Sequence, residues 1–353
     1  MNKAIVTKKI PALSKYIEDD AGIQAIDQGM SGSEIYKIAN EKEKLILKIT
    51  ERSKVPEYLL DEYPNIVESE YLFYHEIFPE LNFPAPRIID TGRLSKEGTY
   101  LLMEDLSLKY QIPDENYSWK DSDLYSILKA YSEFHGKGID ILRTSDHHRW
   151  LSEDPRRQFK QIDLMEWLEK LLAFSTTNDR VRPLIEDPRL PKLIQRVSCS
   201  LDHAETTILY NDFNALNVGL PKKGNIAVLI DWQLIGKGPW QVDLCDIGFL
   251  NHANHFDVDN KREFLDFYLD HLAEATGERF NTDRTLEECR YASLMRWGVF
   301  LPTIVKAVER SITKGKEINQ WMNSQFNDCI HEWKKGLELI PSMNDHGRGN
   351  III

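Results

Sequence analysis

The spacing of apolar residues changes character once along this chain, near Leu106, and that change constrains the fold more than any other feature. Before it, "IQAIDQG", "EIYKIAN" and "KLILKIT" alternate apolar and polar side chains, as half-buried strands do, and "GMSGS" reads as the turn between the first two. One helical stretch intervenes: "NIVESEYLFYHEIF" sets Ile66, Val67, Glu70, Phe73, Tyr74 and Ile77 at helical spacing. "FPAPRIIDTG" and "TYLLMEDL" then resume strand character, with "FPAP" as a sharp entry because proline fixes φ and lacks a donor. After Leu106 the polar connector "SLKYQIPDENYSWKDSD" leads into helices. In "DLYSILKAYSEFHGKG", Leu124, Ile127, Leu128, Tyr131, Phe134 and His135 share one face, and Gly136 is the predicted stop. "QIDLMEWLEKLLAF", "REFLDFYLDHLAEATG" and "YASLMRWGVFLPTIVKAVER" are also amphipathic, the last with a break predicted at Pro302. Within this helical part, only residues 207–233 return to short strands.

The layout is therefore α+β: a strand-rich first third, then a helical remainder with a short β insertion. A chain of 353 residues exceeds what one small core organises, so two lobes are predicted, residues 1–104 and 105–353. The formal charge of −12, from 44 basic and 56 acidic residues, argues against nucleic acid as a partner and tolerates a cationic small molecule. No apolar run approaches the roughly 20 residues of a membrane-spanning helix. "MNKAIVTKKIPALSKYI" lacks the apolar core and cleavage site of a signal peptide. Cys199, Cys245, Cys289 and Cys329 have neither zinc-site nor disulfide-scaffold spacing, which suits free thiols in a reducing cytoplasm.

Two stretches carry the chemistry. "LYNDFNALNVGL" holds Asn211, Asp212, Asn214 and Asn217 between apolar flanks, and "AVLIDWQ" ends an apolar run on Asp231. Asp212 and Asn217 are spaced D-x-x-x-x-N, so a tight loop can present an acid that orients a hydroxyl and takes its proton, and an amide that turns its oxygen to Mg²⁺. Asp231 would be the charged second ligand to the same ion. A plain hairpin with Asp and Asn as turn residues is the alternative, and the spacing alone arises about once by chance in such a chain. The first lobe supplies the matching parts. Gly29, Gly32 and Ser33 in "QGMSGSEIYKI" can lay backbone N–H groups over phosphates. Lys48 in "LILKIT" can reach them, and Glu70, in preference to Glu68, can hold Lys48. Met103, Glu104 and Leu106 in "LLMEDL" can border adenine, or simply end a strand between lobes. Each piece has a bland alternative; their order along the chain is harder to obtain by accident.

In these motifs the sequence resembles the aminoglycoside phosphotransferase and choline kinase-like branch of the protein-kinase-like fold, over roughly residues 22–275. The family pattern H-G-D-x-x-x-x-N, an I-D-[WF] strand and a later Asp-Leu are met by "YNDFNALN", "LIDWQ" and "WQVDLCDIG", with Tyr210 in place of His and Asn211 in place of Gly. The resemblance implies a two-lobed ATP-dependent phosphotransferase with a small hydroxylated acceptor. It makes Asp212 the catalytic base, Asn217 and Asp231 the Mg²⁺ ligands, Lys48 and Glu70 the phosphate-positioning ion pair, and Asp243 a structural acid near the loop. The short distance from Asp231 to Asp243 leaves little room for the peptide platform of a protein kinase. The rival class is a nucleotide-binding scaffold that has lost catalysis, and Tyr210 and Asn211 are its best support.

Overall fold

Alternation in the first third produces one antiparallel sheet of five strands. These are β1 (Gly22–Ile26), β2 (Glu34–Ala39), β3 (Lys44–Glu51), β4 (Ile88–Ser95) and β5 (Gly98–Glu104), in the order β1-β2-β3-β5-β4. The computed structural model describes residues 3–18, 21–26, 31–39, 43–81, 83–95, 97–114, 117–145, 148–153, 159, 162–173, 175–224, 226–249, 262–313 and 320–340. Leu45, Leu47 and Ile49 of β3 join Tyr36, Ile38, Tyr100 and Leu102 in a buried cluster. Val6, Ile10, Leu13 and Ile17 complete that cluster, so α1 (Lys3–Lys9) and the 3₁₀ turn Pro11–Lys15 are held by it. The strand period of two puts Lys48 and Thr50 on the opposite face of β3.

The helical stretch before β4 consists of α2 (Glu57–Glu62), α3 (Ile66–Leu72), a π-helical turn over Phe73–Ile77 and α4 (Phe78–Leu81). Five short strands follow the main sheet: β6 (Tyr110–Gln111), β7 (Thr206–Leu209), β8 (Val218–Pro221), β9 (Val228–Leu229) and β10 (Gly236–Pro239). β7 pairs with β10, and β8 lies between β6 and β9. The Asp212 loop thus connects β7 to β8, and Asp231 stands just past β9.

The long helix α5 (Asp121–Thr144) runs through the predicted stop at Gly136. A Cβ at Gly136 would fall 2.5 Å from the Cβ of Ala275, and one at Gly138 would fall 2.5 Å from Thr207 Oγ1 and 2.9 Å from the backbone nitrogen of Ile208. These glycines allow close approach to the helix Arg262–Thr276 and to β7; they do not end the helix.

The chain divides into two compact units, Met1–Glu153 with Glu205–Thr282, and Asp154–Ala204 with Asp283–Ile353. All elements above belong to the first. The second holds the helices Leu164–Leu172, Ser175–Ile185, Leu190–Cys199 and Gln320–Gly336 and nearly all of Thr282–Thr313. The break predicted at Pro302 does not occur, since Thr282–Thr313 is continuous. A proline inside a helix costs about 3 kcal/mol, whereas burying one aliphatic side chain contributes about 1.5–3 kcal/mol. Leu301, Ile304 and Val305, all fully buried around it, outweigh the lost bond. Among the described residues no helix is long and apolar enough to cross a membrane.

Gly138→Ala is expected to lower stability by about 1–3 kcal/mol, because the new methyl group meets β7 backbone that cannot move aside. Urea denaturation of the variant against the parent chain measures this.

Candidate active site

The central strand β3 carries Lys48 between Ile35 of β2 and Leu101 of β5. Its side chain is buried, yet its ammonium lies 2.8 Å from Glu70 Oε2 and 2.6 Å from Asp231 Oδ1. Glu70 is the α3 carboxylate that reaches it, while Glu68 sits 3.4 Å from Arg93 on the solvent side. Burial pulls the Lys48 pKa down, but the charges of Asp231 and Glu70 more than compensate and hold it above its ordinary value. Burial pushes the Glu70 carboxyl up against the opposing pull of Lys48. The other oxygen of Glu70 accepts the backbone N–H of Trp232 at 3.2 Å, so Glu70 grips the segment that carries Asp231 as well as the lysine.

Asp243 anchors the Asp212 loop. Its buried carboxylate accepts the backbone N–H groups of Tyr210 at 2.7 Å and Asn211 at 2.9 Å, and lies 3.0 Å from His135 Nε2. His135 is a satisfied core residue: its Nδ1 is 2.8 Å from the Tyr268 hydroxyl, and its carbonyl accepts Thr207 Oγ1 at 2.6 Å. Within the loop, Asn214 Oδ1 accepts the N–H of Leu216 at 2.9 Å and closes the 3₁₀ turn Ala215–Asn217. That turn brings Asn217 back on Asp212, with Asn217 Nδ2 2.9 Å from Asp212 Oδ2 and 3.1 Å from its carbonyl. Asp212 itself is half-buried.

The loop and the Asp231 segment are stitched together. The carbonyl of Asn217 accepts the N–H of Ile230 at 3.0 Å, and the Tyr210 hydroxyl donates to the carbonyls of Asn217, at 3.3 Å, and of Ile230. Among the described residues only Asn211, at φ 63°, and Asp231, at φ 66°, are non-glycine residues in the left-handed region. Asn tolerates that region better than most residues, which accounts for its standing where the family pattern has Gly. Its side chain adds a bond that Gly lacks, from Nδ2 to the carbonyl of Leu234 at 3.1 Å. Trp232 is fully buried, stacked on Phe73 at 4.0 Å and edge-on to Tyr210 at 4.9 Å.

The remaining candidates are more dispersed. Gly29 lies outside the described residues. Gly32 has φ +75°, and a Cβ there would fall 2.1 Å from the carbonyl oxygen of Lys54, so the position admits glycine alone. The Ser33 hydroxyl is buried against Thr50 Oγ1 at 2.9 Å and Gln233 Nε2 at 3.0 Å. Met103 and Glu104 end β5, where Met103 pairs with Ile46 and Glu104 with Leu45. The Glu104 amide donates to the carbonyl of Arg87 at 3.0 Å, its carboxylate lies 2.7 Å from Lys109 Nζ, and buried Leu106 opens the 3₁₀ turn Leu106–Leu108. Thr50 and Gln233 join the site only through the fold; in the sequence their one signal is the Gln that closes "IDWQ".

Among the described residues no group of three or more His, Cys, Asp or Glu side chains is placed to hold a metal. The pair Asp231 and Asn217 nevertheless fits Mg²⁺, which takes hard oxygen ligands, needs few from the protein and shares the ion with substrate phosphates. Because Asn217 spends its amide nitrogen on Asp212, its oxygen is the atom it would offer.

Residues 32–279 match the model of the ecdysteroid kinase-like family. No curated protein matches the chain. Among solved structures, choline kinase LicA from Streptococcus pneumoniae aligns with a TM-score of 0.58 at 11% identity, over 94% of this chain and 99% of that one. The GDP complex of aminoglycoside 2'-phosphotransferase-IIIa aligns with a TM-score of 0.58 at 11% identity, over 94% and 97%. Spectinomycin phosphotransferase APH(9)-Ia, in complex with ADP and spectinomycin, aligns with a TM-score of 0.50 at 15% identity, over 94% and 96%. At such identities the likeness is one of fold, and the α+β, kinase-like architecture is shared.

Asn211→Ala is expected to destabilise the protein by about 1–2 kcal/mol more than Asn211→Gly, because alanine bears the full cost of a left-handed backbone and glycine none. Both variants lose the bond to Leu234, so the difference between their chemical denaturation midpoints isolates the backbone contribution.

Proposed function

The chain belongs to the ecdysteroid kinase-like family and is a kinase-type phosphotransferase, and we propose that it transfers the γ-phosphoryl group of ATP to a hydroxyl of a small molecule. The observation that carries this reading is the buried Lys48 ammonium held by Glu70 and Asp231, with the Asp212–Asn217 loop stitched to the Asp231 segment. In the proposed reaction Asp212 orients the acceptor hydroxyl and receives its proton as the oxygen attacks the γ-phosphorus in line, and ADP leaves. Lys48 offsets charge on the phosphates, and Glu70 keeps the ammonium aimed. Asn217 and Asp231 would hold Mg²⁺, which when bound spreads the negative charge of the phosphate oxygens. Gly32 and Ser33 take the turn over the phosphates, and Met103, Glu104 and Leu106 border the adenine. In this reading residues 1–104 carry the nucleotide and residues 105–353 the acceptor.

A small acceptor is supported by the short path beyond Asp231, where β10 leads directly into the helix Gln241–Phe249. Next to Asp212, buried Phe213 packs against Trp119 and Tyr131, with ring centroids 6.2 Å and 6.1 Å apart. The fold neighbours are named for choline, aminoglycosides and spectinomycin, and the family name adds ecdysteroids to the candidates. Free cysteines, three of them buried, favour a cytoplasmic setting. The scaffold alternative rests on Tyr210 and Asn211. Both are bonded into the loop, so their departure from His and Gly gives inactivity little support.

Asp212→Asn is expected to lower turnover by about 10²–10⁴-fold while nucleotide binding persists. Release of ADP from a panel of choline-like alcohols, sugars, aminoglycosides and ecdysteroids identifies the acceptor, and undiminished turnover by the variant on it would remove Asp212 from its role. Slow ATP hydrolysis that requires Mg²⁺ should vanish in Asp231→Ala; its persistence would argue against Asp231 as a metal ligand.

A further inference from the structure

Ser33, Thr50 and Gln233 meet in a closed, buried ring of hydrogen bonds, with exposures of 1%, 4% and 2%. Gln233 Nε2 donates to Ser33 Oγ at 3.0 Å and to Thr50 Oγ1 at 3.2 Å. The two hydroxyl oxygens are 2.9 Å apart, and the Ser33 hydroxyl also lies 3.3 Å from Gln233 Oε1. Each residue comes from a different stretch of the candidate site. Ser33 leads from Gly32 into β2, Thr50 shares a face of β3 with Lys48, and Gln233 is two residues past Asp231. On the outer side of the same corner, the carboxylate of Glu34 is held by Lys9 at 3.1 Å and by Lys54.

Three consecutive residues beyond β9 thus grip four different partners. Asp231 holds Lys48, the N–H of Trp232 holds Glu70, and the Gln233 amide holds Ser33 and Thr50. A residue that only filled this space would be apolar, because burying an amide is unfavourable unless its donors and acceptors are matched. Resting on the phosphotransfer reading, we propose that Gln233 is a positioning residue of the phosphate site. It fixes Gly32–Ser33 relative to Lys48 and Asp231, so that the turn and the cation-binding segment take up the nucleotide as one piece. No phosphate contact is assigned to Gln233; it acts through Ser33.

The test is Gln233→Leu in the full chain. The Ser33 and Thr50 hydroxyls can still pair with each other, so the variant should fold. The KM for ATP is expected to rise about tenfold, the equivalent of one or two lost hydrogen bonds, with kcat changed less than about threefold. The Kd for ADP with Mg²⁺, measured by calorimetry, should rise in parallel. Ser33→Ala should reproduce the loss, and Gln233→Leu with Ser33→Ala should be no worse than either alone, since both break one joint. If Gln233→Leu does not fold, Ser33→Ala, which removes one hydroxyl, carries the test. Unchanged ADP affinity in the folded variants, or losses that simply add, would overturn the proposal alone. Failure of the parent chain to bind ADP with Mg²⁺ would overturn the phosphotransfer reading and this inference with it.

Discussion

The arrangement around β3 depends on one buried ammonium shared by two carboxylates. Lys48 is 4% exposed and sits between Glu70, 3% exposed, and the Asp231 carboxylate, whose side chain is 24% exposed. A buried charge that loses its partner destabilises a protein strongly, by about 3–5 kcal/mol, so neither acid is a free choice for the fold. One ammonium does not balance two carboxylates. Of the two acids, Asp231 is the one that faces outward.

The polar loop beside this trio is held from beneath by Asp243, which spends both oxygens on successive backbone N–H groups and on His135. Such an anchor in a dry interior sets the position of Asp212 without touching it, as oriented hydrogen bonds in a low-dielectric site do. The two left-handed residues, Asn211 and Asp231, lie at either end of this construction. Strained backbone persists only where surrounding contacts over-determine it, and the bonds to Asp243, Leu234 and Lys48 supply them.

Much of this was legible in the chain because the informative residues break local rules. A lysine inside an apolar strand and an acid ending another are conspicuous, and the preference for Glu70 over Glu68 followed from the helical face they occupy. What failed to show was whatever depends on distant partners. Gly136 and Pro302 carry ordinary stop signals, yet tight packing against Ala275 in one case and burial of flanking aliphatics in the other overrode them. The segment carrying α1 gives a periodic pattern too short to read, and its place is fixed by β-sheet residues far along the chain. Gln233 is ordinary until folding sets it against Ser33, 200 positions earlier.

The left-handed turn at Asn211 also bears on how such chains diverge. Few side chains accept that geometry, so drift at this position draws on an alphabet of little more than Gly, Asn and Asp. Replacing Gly by Asn at position 211 is then a swap within a narrow set of conformational equivalents. Relatives are better sought by the shape their backbone must take here than by the letters that usually spell it.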